Sequence, residues 1–194
     1  MPKIYTEEEK RNIRNALRRE AGICLDKYGV RRTTVDELVR RVSIPKGTFY
    51  LFYASKEELF FDILIAFFDE IERTYPEMLQ ELDENHIVTS LTDIFFSIMM
   101  KFYKEGLYRF LDGSELELVL RRLPDGSVDK IRMTTRSVLH ELFSYFAIED
   151  EDDIKSFTAG YEALFYLLKD GEKIPDIEKT LRFLIRGLVL QMVE

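Results

Sequence analysis

Lys46-Gly47-Thr48-Phe49-Tyr50 gathers, in five residues, side chains able to recognise an anion or a base edge. Lys46 and Thr48 can donate to phosphate oxygens or to acceptors in a groove, and Gly47 lets the backbone come close. Tyr50 and Tyr53 each offer a phenol that can reach a phosphate while the ring packs. Lys56 is a further cation able to pin a phosphate. Thr34 stands at a predicted helix start, where unsatisfied backbone N–H groups favour an anion. These seven residues are the candidate nucleic-acid contacts. Phe49 and Phe52 read instead as apolar anchors. Arg31, Arg32, Arg40 and Arg41 raise the local potential, each read singly as a solvated surface charge.

Other chemistry finds no support in the pattern. His86 and His140 are far apart and neither has metal-ligand spacing, so no metal site is expected. The single cysteine, Cys24, lies on the inward stripe of a predicted helix and reads as core. No glycine-rich phosphate loop follows a strand, and no Ser/His/Asp or Cys/His constellation is present. Neither catalytic residues nor cofactors are expected. The acidic run at 149–153 reads as a solvated helix start.

The elements that must position the candidate contacts are helical. Apolar residues recur at helical spacing, with no alternating strand and no internal repeat. Ile13, Leu17, Ala21, Cys24, Leu25 and Tyr28 stripe a first helix over 6–28, and Gly29 is a natural stop. Thr34-Val35-Asp36-Glu37 fits a capping box that opens a short helix to Val42. Ser43-Ile44 breaks the pattern, and Pro45 suits the first position of another short helix through Phe52. Two short helices across a tight turn predict a helix-turn-helix. Ser55-Lys56-Glu57-Glu58 is a second capping box, opening a long helix to about Arg73 that Pro76 interrupts. Further helices are expected over 87–104, 107–111, 114–122, 127–146, 151–169 and 176–193. The fold class is all-α.

Residues 13–60 resemble the DNA-binding domain of the tetracycline-repressor (TetR) family of transcriptional regulators. The resemblance rests on Ala21, Leu25 and Gly29, on Thr34-Val35-Asp36-Glu37-Leu38, on Lys46-Gly47-Thr48-Phe49-Tyr50, and on Ser55-Lys56-Glu57-Glu58-Leu59. The chain departs from the family pattern at Ser43, where a glycine is usual, and at Pro45, where a small hydroxyl residue is common. Phe52-Tyr53 and Cys24-Leu25 are further departures. The resemblance implies a three-helix helix-turn-helix domain over 1–54 and a larger helical ligand-sensing and dimerisation domain over 55–194. It also implies a homodimer, double-stranded DNA with a partly palindromic operator, and a small-molecule effector.

The body carries matching signals. Phe95, Met99, Phe102, Tyr103 and Tyr108 belong to an aromatic and methionine-rich stretch that could line an adaptable apolar pocket, with Phe67, Met133, Phe143 and Tyr161 as further lining candidates. Phe157, Tyr161, Leu164 and Leu168 form one apolar stripe, and Leu181, Leu184, Ile185 and Leu188 another. Two such helices per chain could pair with their copies as a four-helix bundle.

Charge divides the chain in the same way. The net charge of −8 separates into +6 over residues 1–56 and −14 over 57–194. A basic head attracts phosphates while an acidic body is held away from them. No apolar run approaches the roughly 18–20 residues of a membrane span. The start, MPKIYTEEEKRN, lacks the apolar core of a signal peptide. A reducing cytoplasm is the expected compartment. Two other classes stay open: an enzyme on a helical body, which the missing catalytic constellation disfavours, and a helical small-molecule or protein-binding module that has lost DNA binding.

Overall fold

The structure, a computed structural model, describes residues 5–111, 113–123, 143 and 150–193. Among them are eight α-helices, three short 3-10 turns and no strand. The chain divides into two compact units, Met1–Ala66 with Glu105–Ser127, and Phe67–Lys104 with Val128–Glu194. The functional boundary expected at 54/55 falls inside the first unit.

In the first unit, α1 (Glu7–Arg32) opens on a complete capping box. The Glu9 N–H donates to Thr6 Oγ1 at 3.2 Å and the Thr6 N–H to Glu9 Oε2 at 2.9 Å. Leu17, Ala21, Cys24 and Leu25 are fully buried, which fits the expected inward stripe. Gly29 ends the regular helix, as expected, by adopting φ 75° and ψ 174°, and a single turn to Arg32 follows it. A Cβ there would lie 2.8 Å from the Glu115 carboxylate. Glu115, on α6 (Gly113–Leu120), accepts from the Val30 N–H at 2.6 Å and the Arg31 N–H at 3.3 Å. Nearby, the Tyr108 hydroxyl donates to Asp26 Oδ1 at 2.8 Å, and the Arg109 guanidinium donates twice to the Asp26 carbonyl, at 2.7 and 3.0 Å. The end of α1 is thus tied to the 3-10 turn Leu107–Leu111 and to α6, far away in sequence.

Helix α2 (Val35–Val42) starts at Thr34, whose hydroxyl accepts from the Glu37 N–H. Only this half of the expected box forms, because Glu37 turns to Arg41 one helical turn on, at 3.1 Å. Ser43 ends α2 in the left-handed region, φ 57° and ψ 44°. Pro45 is the residue before α3 (Lys46–Phe49) rather than its first, since its ψ of 146° is extended.

Helix α4 (Lys56–Gln80) supplies residues to both units. At its start the Glu58 N–H bonds Ser55 Oγ, but the Glu58 carboxylate accepts from the Ala54 N–H, one residue earlier than a capping box requires. The interruption expected at Pro76 does not occur, and α4 runs through it. Proline at 76 leaves the carbonyl of Glu72 without its helical donor. Glu72 is exposed, so water can satisfy that oxygen, while the neighbouring Tyr75 and Leu79 are buried and hold the helix in place.

The second unit combines the later part of α4 with α5 (Ile87–Lys104), α7 (Glu151–Lys169) and α8 (Ile177–Val193). Asp150 caps α7 by accepting from the N–H groups of Asp152 and Asp153. Helices α7 and α8 approach so closely that a Cβ on Gly160 would lie 2.9 Å from the Leu188 side chain. Helices α5 and α8 are joined at the surface by Arg182, which pairs with Asp93 and lies 4.2 Å from the centre of the Phe96 ring. Apart from Phe143, which is helical, the helix expected over 127–146 lies outside the described residues.

Candidate nucleic-acid interface

A helix of four residues cannot hold itself, so α3 depends on what surrounds it. Phe49 is its anchor, fully buried with its ring edge-on to Tyr50 at 5.4 Å and tilted on Tyr53 at 5.9 Å. Helical hydrogen bonding continues past the helix proper, from the Leu51 N–H to the Thr48 carbonyl and from the Phe52 and Tyr53 N–H groups to the Phe49 carbonyl. Residues 46–53 therefore wind as one short rod with an outer and an inner face.

On the outer face stand Lys46, Gly47, Tyr50 and Leu51, all exposed. The Lys46 ammonium pairs with Asp36 at 2.9 Å, and that carboxylate raises its pKa, keeping it charged. Around Gly47 a side chain would meet nothing within 4 Å. Tyr50 is 52% exposed and Leu51 70%. Thr34 is exposed as well, at the start of α2. A surface groove of about 730 Å³ opens beside this face, lined by Pro45, Gly47 and Leu51 together with Ile13 and Ile44.

The other three candidates turn their polar atoms inward. Thr48 is buried, its hydroxyl 3.1 Å from the Tyr5 hydroxyl. The buried Tyr53 donates its phenol to Asp62 at 2.5 Å, and Asp62 also accepts two bonds from Arg18, at 2.7 and 2.8 Å. The Lys56 ammonium donates to the carbonyls of Val30 and Thr33, both at 2.7 Å, and to that of Arg31 at 3.3 Å. Residue type alone could not show this. Arg18 and Asp62 are 44 residues apart, and nothing in their local pattern marks them as partners.

The Arg18–Asp62–Tyr53 cluster links α1 to α4 behind the outer face. Burial raises the Tyr53 phenol far above its ordinary pKa, so it stays a donor. Burial also works against the Asp62 carboxylate, but the bonds from Arg18 and Tyr53 outweigh it and hold its pKa below 3.8. Such a carboxylate stabilises the fold fully above its ordinary pKa and loses that contribution as the pH falls through the lowered value. Asp62→Asn should therefore cost about 2 kcal/mol in urea melts at neutral pH, a figure reduced for partial exposure of the pair. The gap to the wild type should close in strong acid. A gap that persisted unchanged there would show that the charge of Asp62 contributes nothing.

The candidate ligand residues fall in both units. Phe67, Phe95, Met99, Phe102, Phe143 and Tyr161 are buried in the second. Their rings touch one another and Phe157: Phe95–Tyr161 at 4.9 Å, Phe67–Phe102 at 5.4 Å and Phe143–Phe157 at 5.6 Å. The Tyr161 hydroxyl donates to the Phe95 carbonyl at 3.0 Å. Tyr103 is half-buried in the same unit, whereas Tyr108 belongs to the first. Met133 lies outside the described residues. Of the candidate dimer residues, Phe157, Tyr161, Leu164, Leu168, Leu181 and Ile185 are turned into the protomer's own core. Leu184 and Leu188 are half-buried. The large apolar side chains left exposed on α7 and α8 include Tyr166, at 63%, and Phe183, at 77%.

Among the described residues, no cluster of three or more His, Cys, Asp or Glu side chains could hold a metal ion, and no helix is long and apolar enough to cross a membrane.

Residues 19–63 match the family model described as bacterial regulatory proteins, tetR family. No curated protein matches the chain. The fatty acid degradation regulator FadR from Bacillus halodurans is similar in structure, with a TM-score of 0.65 and 12% identity over 96% of this chain and 97% of that one. GusR from Salmonella enterica is similar with a TM-score of 0.56 and 17% identity over 95% and 98%. At such identities these two likenesses speak for the fold, and they cover nearly its whole length. Residues 19–63, which hold the helix-turn-helix, are thus similar to the N-terminal segment of the tetR family of bacterial regulatory proteins.

Proposed function

We propose that the protein is a sequence-specific DNA-binding transcriptional regulator, a repressor that a small, largely apolar ligand releases from its operator. The observation that carries this reading is the outer face of the helix-turn-helix. Lys46, Gly47 and Tyr50 are exposed there, on a rod whose inner face is anchored by Phe49. Lys46 and Tyr50 offer donors to phosphate and base edges, Gly47 allows close approach, and Thr34 brings the start of α2. Thr48, Tyr53 and Lys56 serve the same surface indirectly, by holding its shape.

Residues 1–54 take the DNA-reading role and 55–194 the ligand-sensing and dimerising role. An apolar ligand is supported by the touching rings of Phe67 with Phe102 and of Phe95 with Tyr161, with Met99 and Phe143 among the same buried side chains. Parting such side chains makes an apolar site. The dimer face is the outward side of α7 and α8, with Tyr166, Phe183, Leu184 and Leu188. Two copies would present two recognition helices to successive major grooves, about 34–36 Å apart, on a partly palindromic operator. A ligand that favours the DNA-incompetent state would shift α4 and change that separation. The protein acts in the cytoplasm, where the DNA is.

The test is a gel shift with the DNA upstream of the protein's own gene across a range of salt. We expect specific binding that weakens steeply as salt rises. Absence of binding even at low salt would overturn the reading in favour of a helical module that does not bind DNA.

A further inference from the structure

The outer face of the recognition rod holds one side chain that phosphate chemistry leaves unused. Leu51 is 70% exposed, on a surface otherwise built of Lys46, Gly47 and Tyr50. It stands one helical turn beyond Gly47, because the Leu51 N–H bonds the Thr48 carbonyl at 3.1 Å and continues the winding. Gly47 contributes no side chain, and the space where one would point is open to 4 Å. The result is a notch with Leu51 as one wall and the Gly47 backbone as its floor. It opens onto the groove that Pro45, Ile44 and Ile13 line.

The surroundings decide what such a notch could take. Its immediate neighbours are a cation and a phenol, and residues 1–56 carry a net charge of +6, so the partner that approaches is a polyanion. In a duplex major groove the apolar feature on the base edges is the thymine C5-methyl group. We propose that Leu51 is a specificity-determining residue that packs against a thymine methyl, with Gly47 leaving the room for it. The inference rests on the DNA-binding reading given above and assigns part of the sequence preference to an apolar contact.

The full-length protein is used to select its operator from random duplexes, and each thymidine of the selected site is then replaced by deoxyuridine, one half-site at a time. Deoxyuridine pairs as thymidine does but lacks the methyl. We expect one thymidine per half-site whose replacement weakens wild-type binding about fourfold, the factor for losing one buried methyl-sized group. Leu51→Ala, a surface change that leaves folding alone, should weaken binding to the thymidine duplex by at least that factor and bind both duplexes alike. If no replacement weakens the wild type, or if Leu51→Ala keeps the wild-type preference for thymidine, the proposal is overturned. Failure to select any site is a separate result, and it overturns the DNA-binding reading itself.

Discussion

Lys56→Ala should destabilise the protein by about 2 to 3 kcal/mol in urea melts while leaving the salt dependence of operator binding as steep as in the wild type. A lysine ammonium has three N–H donors. In Lys56 they point at the carbonyls of Val30, Thr33 and Arg31, at the junction between α1 and α2. Val30 and Thr33 are fully buried residues, so losing the ammonium deprives their carbonyls of a donor that water replaces poorly. With its donors used in this way, Lys56 has none left for a phosphate. Lys46 is the contrasting case, exposed and held only by Asp36. Lys46→Ala should leave the melt unchanged and reduce the slope of log K against log salt by about 0.9 per half-site. Melts and salt titrations of both variants, side by side, check the assignment. A slope that fell as much for Lys56→Ala as for Lys46→Ala would return Lys56 to the phosphate contacts.

Phe183→Asp should convert the protein to a monomer and weaken operator binding on the order of a hundredfold or more. In the proposed dimer the loss would come from separating two half-site readers that bind as one molecule. Phe183 is 77% exposed, and Tyr166 on α7 is 63% exposed. Large apolar groups on the outward faces of two adjacent helices suit the mate of a second copy. A charge introduced there would have to be buried unpaired in the proposed dimer. Within the protomer the ring contributes little, so the fold should survive. Sedimentation and gel shifts supply the readouts, and an unaltered dimer with unaltered DNA affinity would remove α8 from the interface.

Much of this architecture was legible in the sequence, for reasons that differ from element to element. The spans expected for α5 and α7, 87–104 and 151–169, are those found, because their apolar residues repeat every three or four positions between clear end signals. Pro76 is a false end signal when read locally, because burial of Tyr75 and Leu79 on either side keeps α4 whole. At the interface, residue types located the surface but not the direction of each side chain. A threonine, a tyrosine and a lysine can donate outward or inward, and here the inward partners are Tyr5, Asp62 and the Val30–Thr33 carbonyls, 9 to 43 residues away. Leu51 carries no signal in the sequence, because only the structure shows that its surroundings fail to cover it. In α7 and α8 the periodicity marked apolar faces, but the more apolar one serves the protomer's own core. The exposed aromatic groups, Tyr166 and Phe183, lie on the other side.

The ties on the last turn of α1 also bear on how the protein is made and on how it could be recombined. Asp26, Val30 and Arg31 are held by Tyr108, Arg109 and Glu115, residues 82 to 85 positions later for the bonds to Asp26 and Val30. A nascent chain that has released only its helix-turn-helix from the ribosome still lacks those partners, and the Val30 N–H waits for the carboxylate that later receives it. The helix-turn-helix unit thus gains its last ties only once Glu115 has been synthesised. Grafting residues 1–54 onto a foreign sensor would separate them from the clamp at 108–115. A chimera that retains the native stability of its head must carry both pieces of the chain.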